Sequence, residues 1–490
     1  MSTTTSMRES RLLVAGEWSD AANGATFDVR DPYTGDVVVR AAAGSGADAE
    51  RAVAGAAAAF PEWAAAPPAV RQQVFLRAAD ILESRRDEIV GLLARETGCT
   101  FGFGMFQTIF TPGLLRQAAA VAYAPIGEVI PSDVPGAMAM GLRQPVGVVG
   151  AIAPWNAALI LSLRSITAPL AYGNAVVLKP SEWSPVTGGT LWGEIFAEAG
   201  LPAGALSIVT HAPGEAAGVG DVLVEHPAVR RINFTGSTQT GRRLAEACGR
   251  QLKRVLLELG GSNPLLVLAD ADLAYAVDAA AFGSFLHQGQ ICMSTRRIIV
   301  ERSIAEAFTE QLVEKTRALK VGDPKEHDTI IGPLINGQAL ATVAARVEDA
   351  VDRGATLLVG GSAEGPCYQP TLLTGVPDDA PFALEETFGP VASIEIVEDA
   401  AAAVARANAT GYGLSAGIIT SDADRGLTFA RMIESGIVHV NDQTVGDEPQ
   451  MPFGGVKDSG FGRFGGRAAM DEFTELRWVT VQSGTRHFPF

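Results

Sequence analysis

The feature that most constrains the fold is a repeated alternation of short apolar runs with segments of helical hydrophobic spacing. The apolar runs, each with the helical pattern that follows it, are 175–178 with 187–199, 206–209 with 215–225, and 231–234 with 240–248. Alternation of this kind predicts a parallel sheet that carries helices on both faces. A second block of the same character runs from Pro264 to about Val440. The chain is therefore expected to contain two α/β layers.

Further elements are assigned from local patterns. Residues 145–153 form a β-branched, glycine-rich run, which is typical of a buried strand that enters a turn. The segment ELRWVTVQ, residues 475–482, has the pattern of a strand that could add to the sheet of another subunit. A strand-like segment also ends at Gly16-Glu17-Trp18. Helices are expected within 48–96, with breaks at Pro67 and Pro68, and near 273–286, 304–319 and 338–353.

Length and charge narrow the class of protein. With 490 residues, 47% of them hydrophobic, the chain is too long for one core, so two or three domains are expected. The formal charge of −17 disfavours nucleic acid and anionic membranes as partners. No apolar run reaches the length of a membrane span, and the N-terminus lacks a secretory signal pattern. Four widely separated cysteines suit a reducing compartment, so we expect a cytoplasmic protein.

Two polar residues stand where apolar runs end, and a cysteine follows a helical stretch; their types suit acyl chemistry. Glu258 closes the run 255–257 just before two glycines, and burial there would raise its pKa toward neutrality, as a general base requires. Asn156 follows the run 145–153, and its amide could bind an oxyanion together with the backbone N–H of Cys292. Cysteine is also a common small buried residue, so Cys292 alone leaves both interpretations open.

Two other segments have features of a dinucleotide site. Gly236-Ser237-Thr238 lies between a strand and a helix, where backbone N–H groups can approach a pyrophosphate. The same residues would also make an ordinary helix cap. Lys179-Pro180-Ser181-Glu182 ends a strand, and its cation and carboxylate could both reach ribose hydroxyls. A carboxylate there would repel a 2′-phosphate and so favours NAD over NADP, although a solvated charged turn explains the segment equally well.

Taken together, the motifs resemble the aldehyde dehydrogenase superfamily in their order and spacing over nearly the whole chain. They are Pro154-Trp155-Asn156, Lys179-Pro180-Ser181-Glu182, the turn 234–241, Glu258-Leu259-Gly260-Gly261, Gly289-Gln290-Ile291-Cys292, Glu385-Glu386-Thr387-Phe388-Gly389-Pro390 and Pro452-Phe453-Gly454-Gly455-Val456-Lys457. One departure stands beside the base, because many relatives have lysine where this chain has Ser262. That change alters local charge but removes no group with an implied chemical step.

The resemblance implies an α/β fold. Two doubly wound parallel-sheet domains, one NAD-binding and one catalytic, are joined by a β arm that pairs subunits into a homodimer or homotetramer. The implied divisions are 1–120 and 143–257 for the NAD-binding domain, 121–142 and 459–490 for the arm and C-terminal tail, and 258–458 for the catalytic domain.

The resemblance also implies residue roles. Cys292 would be the nucleophile, Glu258 the base and Asn156 the oxyanion donor, with no metal. The cofactor would be NAD, with NADP possible, and its implied contacts are Ile152, Pro154, Trp155, Lys179, Ser181, Glu182, Gly236, Ser237, Thr238, Leu259, Gly260, Glu386 and Phe388.

Finer features resemble the branch that oxidises aromatic aldehydes, the benzaldehyde, salicylaldehyde and vanillin dehydrogenases. The segments are 287–295, 226–231 and 440–444. Ala157 is small where many relatives carry an aromatic residue, which would leave width for a planar ring. The other substrate-tunnel candidates are Leu286, Ile291, Met293 and Phe103, with Phe101 and Phe106 as further aromatic walls. Phenylalanines in a glycine-rich run are also common in an ordinary core.

The expected function is NAD(P)-dependent oxidation of an aromatic aldehyde to its acid, through a thiohemiacetal and a thioester on Cys292. The alternatives are a CoA-acylating semialdehyde dehydrogenase, an aliphatic aldehyde dehydrogenase and a non-catalytic paralogue. Glu258 argues against the first, because attack by CoA needs no water-activating base. A zinc-dependent alcohol dehydrogenase would need Cys and His ligands at short spacing, which the sequence does not offer.

Overall fold

The computed structural model describes residues 7–490. The strands are β1 Arg8–Ser10, β2 Leu12–Val14, β3 Glu17–Ser19, β4 Thr26–Arg30, β5 Val37–Ala42, β6 Gly127–Ile130, β7 Ala137–Pro145, β8 Val148–Ile152, β9 Ala175–Lys179, β10 Leu206–Ile208, β11 Val229–Thr235, β12 Arg254–Glu258, β13 Asn263–Val267, β14 Thr295–Glu301, β15 Thr356–Val359, β16 Ala363–Glu364, β17 Cys367–Tyr368, β18 Thr371–Thr374, β19 Val391–Val397, β20 Ser415–Ile419, β21 Ile437–Val440, β22 Gly460–Phe461 and β23 Thr474–Gln482.

Helices cover the faces of these sheets. The α-helices are α1 Gly46–Ala65, α2 Pro68–Ser84, α3 Arg86–Thr97, α4 Phe101–Val121, α5 Ala158–Ala171, α6 Leu191–Ala199, α7 Ala216–Glu225, α8 Thr238–Arg250, α9 Leu273–Phe285, α10 Arg302–Arg317, α11 Gly337–Asp352, α12 Pro381–Leu384, α13 Ala400–Ala407, α14 Ala423–Ala430 and α15 Ala468–Phe473. A π-helical turn, Val186–Thr190, precedes α6, and 3₁₀ turns span Leu286–Gly289 and Lys457–Ser459.

The first large sheet has eight strands in the order β22-β12-β11-β8-β9-β10-β2-β3. Its five central strands are parallel, while β22 at one edge and the β2–β3 hairpin at the other are antiparallel. Alternate side chains of β8 enter different cores, with Val149 and Ala151 in one and Val148 and Ile152 in the other. Both faces are therefore covered, which explains why the strand is a continuous apolar run.

The second large sheet has seven strands in the order β15-β18-β19-β14-β13-β20-β21, all parallel except β15. Leu265 and Val267 of β13 face one core, and Leu266 faces another. The prediction of two layers with parallel sheets is therefore confirmed, together with the strands and helices assigned to each block.

The C-terminal strand pairs within its own chain. β23 runs antiparallel to β7, from Thr474 opposite Pro145 to Gln482 opposite Ala137, and β6 completes a three-stranded sheet. The sequence suggested instead that this strand could join another subunit's sheet. Because β7 supplies a partner along the whole of β23, its backbone groups on that side are already satisfied. Its outer edge carries exposed apolar side chains, including Trp478.

Helix α4 was missed in the sequence analysis, where the helical prediction stops at residue 96. It contains Gly102, Gly104 and Pro112, which lower helix propensity. Packing against α2, α3 and α5 overrides that propensity. A Cβ at Gly104 would lie 3.2 Å from Val90 of α3, so a small residue permits this close approach.

In residues 7–490 no helix is long and apolar enough to cross a membrane. The four cysteines within this range are all free, and no cluster of His, Cys, Asp and Glu there has the arrangement of a metal site.

Candidate active site

The candidate residues lie where the ends of the two large sheets meet. Strand register places Ile152 opposite Lys179 and Phe234, and Thr235 opposite Glu258, all at the carboxyl ends of parallel strands. Ligands of open α/β sheets bind at this edge. Asn263, at the start of β13, comes five positions after the end of β12, so the amino ends of the second sheet face the same space.

Cys292 lies between the 3₁₀ turn and β14 and is partly exposed. Its backbone carbonyl accepts a hydrogen bond from Nδ2 of Asn263 at 2.8 Å, and the same amide donates to the Ser294 carbonyl at 3.0 Å. Burial, followed by the charges of Glu386 and Glu258, raises the pKa of the Cys292 thiol. At neutral pH the sulfur is therefore protonated and needs a base before it can attack a carbonyl.

The backbone just before Cys292 is strained. His287, Gln288 and Gly289 have φ values of 51°, 53° and 65°, in the left-handed region that costs side-chain-bearing residues free energy. Nε2 of Gln288 donates to the carbonyls of Gly98 and Pro333, each at 3.0 Å. A Cβ at position 289 would lie 2.1 Å from the Gly389 carbonyl oxygen, so glycine is required there. These contacts hold the turn in its strained form.

Glu258 is the last residue of β12 and is 3% exposed. Neither carboxylate oxygen has a hydrogen-bond partner among residues 7–490. Burial raises its pKa well above the ordinary value, and the nearby charges of Arg164 and Arg463 only partly oppose this shift. The direction of this shift is the one expected from the sequence, and a raised pKa makes the carboxylate a stronger proton acceptor.

The side chain of Asn156 is tied to the cysteine loop. Its Nδ2 donates to the carbonyl oxygen of Gln290 at 2.9 Å, two residues before Cys292. The side-chain oxygen of Gln290 accepts from the N–H of Ile335 at 3.1 Å, which fixes this segment from its other side. An amide nitrogen carries two hydrogens, so Asn156 retains one N–H for another acceptor.

Lys179 and Glu182 lie at the carboxyl end of β9. Burial lowers the pKa of Lys179, which is 7% exposed, to about 8, while Glu182 acts in the opposite sense. Oγ of Ser181 donates to Oε2 of Glu182 at 3.2 Å. Burial, together with Lys179, lowers the pKa of His211 to about 4, so this histidine is neutral beside Glu182.

The turn that precedes α8 forms a helix cap, which is one of the two interpretations of its sequence. Oγ of Ser237 accepts the N–H of Thr240 at 3.3 Å, so this side chain caps the helix. Thr238 donates its hydroxyl to the Asp458 carbonyl at 3.2 Å. A Cβ at Gly241 would lie 2.4 Å from the Leu259 side chain, which brings the helix close to the loop after β12.

Glu386 and Phe388 approach from the second sheet. Oε1 of Glu386 accepts the N–H of Gly261 at 3.2 Å, and a Cβ at Gly260 would lie 2.4 Å from its other oxygen. Burial raises the pKa of Glu386 to about 7, although the Gly261 bond and Arg296 act against the shift. The Phe388 ring meets Trp155 edge to face at 5.7 Å. Ile152, the last residue of β8, and Pro154 lie just before Trp155 in the sequence.

The candidate tunnel residues share one apolar cluster with Cys292. Its buried members include Phe103, Ala157, Ile291 and Met293, and Leu286 packs against it at the edge. The Phe103 ring stacks on His287 at 4.5 Å. Phe106 is 43% exposed, and Phe101 stacks on His327, so these two contribute less to an enclosed wall than Phe103.

Several supporting residues were not identified from the sequence. Asn263, Gln288 and Gln290 hold the cysteine loop through the contacts described above. Arg296, 4% exposed, donates to the carbonyls of Gly389, Val391 and Gly289, and so joins the cysteine loop to the start of β19. The available signal was polar side chains within apolar stretches, but their partners are backbone carbonyls distant in sequence.

Comparison with known proteins agrees with this geometry. The aldehyde dehydrogenase family model matches residues 18–479. A vanillin dehydrogenase of Pseudomonas fluorescens is 49% identical over 478 residues, covering 98% of this chain and 99% of the relative. A benzaldehyde dehydrogenase [NAD(+)] of Pseudomonas putida is 42% identical over 479 residues, covering 98% and 97%.

A solved structure is similar over the same extent. The salicylaldehyde dehydrogenase from Pseudomonas putida G7, complexed with salicylaldehyde, superposes with a TM-score of 0.96 at 41% identity, covering 99% of this chain and all of that one. The chain belongs to the aldehyde dehydrogenase family. It is an oxidoreductase that acts on an aldehyde with a nicotinamide cofactor, and the expected fold class is confirmed.

Proposed function

We propose that this enzyme oxidises aromatic aldehydes to carboxylic acids with NAD, through a covalent thioester on Cys292. The observation that carries the proposal is the convergence of a partly exposed thiol, a buried unpartnered carboxylate at Glu258 and the anchored amide of Asn156. Relatives named for vanillin, benzaldehyde and salicylaldehyde support the aromatic class. These comparisons do not favour the CoA-acylating, aliphatic or non-catalytic alternatives.

In the first step Glu258, directly or through a water, takes the proton of the Cys292 thiol. The thiolate adds to the aldehyde carbon and forms a thiohemiacetal, whose oxyanion is bound by the free N–H of Asn156 and the backbone N–H of Cys292. The bound nicotinamide supplies the hydride acceptor for this intermediate. After Glu258 has released the thiol proton to solvent, it takes a proton from the water that attacks the resulting thioester. The C–S bond breaks, and the acid leaves as the Cys292 thiolate is expelled.

Replacement of Asn156 by alanine should lower kcat by ~10²–10³, since one oxyanion donor is removed. The effect should fall on kcat more than on the affinity for NADH, because the amide acts on the oxyanion. Steady-state kinetics and NADH fluorescence titration measure the two quantities. Asn156→Asp keeps the shape but not the donor, so it should be similarly slow. A normal kcat in both variants would remove Asn156 from the mechanism.

The cofactor residues fit a dinucleotide. The Lys179 side chain is buried at the sheet edge, where a ribose hydroxyl could accept a hydrogen bond from its ammonium. The amino end of α8, capped by Ser237, suits a pyrophosphate. Glu386 and Phe388 would hold the nicotinamide ribose and ring, and the remaining proposed contacts line the same edge.

Replacement of Glu182 by glutamine should raise kcat/KM for NADP about tenfold and change that for NAD much less. The physical reason is the loss of a negative charge that opposes the 2′-phosphate; tenfold corresponds to ~1.4 kcal/mol. Steady-state kinetics with both cofactors measure the ratio. Glu198→Gln, an exposed glutamate of α6, is the matched control and should leave the ratio unchanged. An unaltered ratio in Glu182→Gln would show that another group selects the cofactor.

The proposed substrate channel is lined by Phe103, Ala157, Leu286, Ile291 and Met293. These side chains are apolar members of, or neighbours to, the cluster against which Cys292 packs. A planar aromatic ring suits such a channel, since it buries a large apolar area with little conformational freedom to lose. The small side chain of Ala157 leaves space next to the oxyanion donor.

The substrate class is tested by comparing vanillin, benzaldehyde and salicylaldehyde with short aliphatic aldehydes, using NAD and NADP without CoA. Aromatic aldehydes should have at least tenfold higher kcat/KM, with the free acid as product. A clear aliphatic preference would reject the aromatic assignment. Formation of acid only after CoA is added would instead support the CoA-acylating alternative.

We also propose the division of the chain and its assembly. Residues 1–120 and 143–257 form the NAD-binding domain, 258–458 the catalytic domain, and 121–142 with 459–490 the arm and tail. The exposed apolar side chains of β6 and β23, among them Val129, Leu476 and Trp478, support pairing of arms in a homodimer or homotetramer. The chemistry of the site does not require this assembly.

A further inference from the structure

A buried ion pair lies behind Glu258. Nη2 of Arg164, on α5, donates to Oδ2 of Asp447 at 2.5 Å, and the two side chains are 6% and 11% exposed. The Arg164 guanidinium lies over the Phe453 ring, 4.3 Å from its centroid. The next residue, Gly454, adjoins the base, since a Cβ there would lie 2.5 Å from Oε1 of Glu258. Glu258 and the ion pair therefore both contact the segment Phe453-Gly454.

Several buried polar atoms around this ion pair have no hydrogen-bond partner among residues 7–490. They are both carboxylate oxygens of Glu258, Nη1 of Arg164, Oδ1 of Asp447 and Nε2 of His439. Such groups are rare in folded proteins and often mark water sites or chemistry. Neither the proposed nucleophile nor the proposed cofactor contacts account for Arg164, Asp447 and His439.

His439 and Asp447 line a cavity. Its volume is about 400 Å³, and its lining includes Ile437, His439, Asp442, Asp447 and Phe453. The His439 ring lies against Gly446, where a Cβ would come within 2.7 Å of Nε2. A cavity of this size with carboxylate and imidazole groups has room for several waters and partners for them. Asp447 thus stands between the surroundings of Glu258 and a space that can hold water.

We propose that Asp447, oriented by Arg164, relays protons from Glu258 to water in this cavity. The inference rests on the proposed function, because it concerns the protons that Glu258 collects. A proton leaves a Glu258 oxygen for an intervening water, and that water releases a proton to Oδ1 of Asp447. Asp447 then passes the proton to cavity water, so both carboxylates return to their ionised forms and no electrons move.

The charges around the relay suit this task. Arg164, Arg463 and Asp447 act on Glu258, while Arg164 and His439 act on Asp447. The charges of Glu258 and Glu386 both act on Cys292, and Asp442 and Glu448 line the cavity. Arginine does not lose its proton in proteins, so Arg164 is a positioning residue and not a carrier. Burial raises the pKa of Asp447, which lets it accept a proton more readily than an exposed aspartate.

The test uses Asp447→Ala and Asp447→Asn with and without added formate. Loss of the relay should lower kcat about tenfold and leave KM for the aldehyde nearly unchanged. Formate, a small carboxylate that can enter the cavity, should restore most of the rate in Asp447→Ala but not in Asp447→Asn, which fills the space. Asp447→Glu should retain most of the rate. The matched control is Asp424→Asn, an exposed aspartate of α14 that does not line the cavity and should be dispensable.

A pre-steady-state measurement separates a relay from a structural role. Hydride transfer precedes release of the final proton, so Asp447→Ala should keep its first-turnover burst of NADH while the following steady state slows. Loss of the burst together with the steady state, without rescue by formate, would assign Asp447 a structural role and overturn the proposal. Wild-type turnover in a folded Asp447→Ala would also overturn it. Absence of a thioester in the wild-type enzyme would contradict the proposed function and is a separate outcome.

Discussion

Replacement of Cys292 by alanine is expected to abolish aldehyde oxidation while NADH binding is retained. The thiol is the proposed site of covalent attachment, and removal of a nucleophile costs on the order of 10⁴-fold in rate or more. An absorbance assay for NADH with an aromatic aldehyde should show no turnover above background. The variant should fold normally, because Cys292 donates no side-chain hydrogen bond and its loop is held through backbone contacts by Asn263 and its neighbours.

The matched control is Cys367→Ala. Cys367 is a buried free cysteine in the short hairpin of β16 and β17, and its thiol lies beside the Gly322 carbonyl. This variant should oxidise aldehydes at the wild-type rate. If Cys292→Ala were equally active, the covalent mechanism would be wrong; if Cys367→Ala alone lost activity, the nucleophile would have been assigned to the wrong thiol.

Replacement of Glu258 by glutamine should slow both the formation and the hydrolysis of the thioester. Glutamine keeps the shape of the side chain but cannot accept a proton from the thiol or from the hydrolytic water. Turnover should fall by ~10²–10⁴, and the first NADH should itself form more slowly than in the wild-type enzyme. Rapid-mixing absorbance, with quenched samples for mass analysis, measures both effects.

The pH dependence of kcat should differ between the wild-type enzyme and Glu258→Gln in a definite direction. Burial raises the pKa of Glu258, and only its ionised form can act as a base. Wild-type kcat should therefore increase with pH as this carboxylate loses its proton, over a range above the ordinary value for glutamate. Glu258→Gln should lose that rising limb. Persistence of the same limb in the variant would show that another group controls hydrolysis.

Much of the fold could be predicted because its strands are covered on both faces. Continuous apolar runs such as 175–178, alternating with helical patterns, gave the parallel layers directly. Helix α4 could not be predicted locally, since Gly102, Gly104 and Pro112 lower its helix propensity and packing against neighbouring helices overrides that propensity. The partner of β23 could not be predicted either, because its pairing with β7 joins residues more than three hundred positions apart.

Some residues of the candidate site could likewise be predicted from the sequence, and others could not. Residues at strand ends, such as Lys179 and Glu258, could be located from the sequence, because parallel strands bring their carboxyl ends to one edge. Their roles came from the family resemblance and not from spacing alone. Asn263 and Arg296 act through distant backbone carbonyls, and Arg164 acts through a buried ion pair with Asp447. Such contacts exist only after the two sheets meet, so no local pattern identifies them.

The central claim is that one sulfur atom carries the substrate during catalysis. It is tested by mixing the wild-type enzyme with NAD and vanillin, quenching in acid during the first turnovers, and determining the intact mass and the modified peptide. The expected result is an added acyl group, at most one per chain, located on Cys292 and absent when NAD is omitted. An enzyme that produces NADH without any acyl adduct, or with the adduct on a different residue, would contradict the claim.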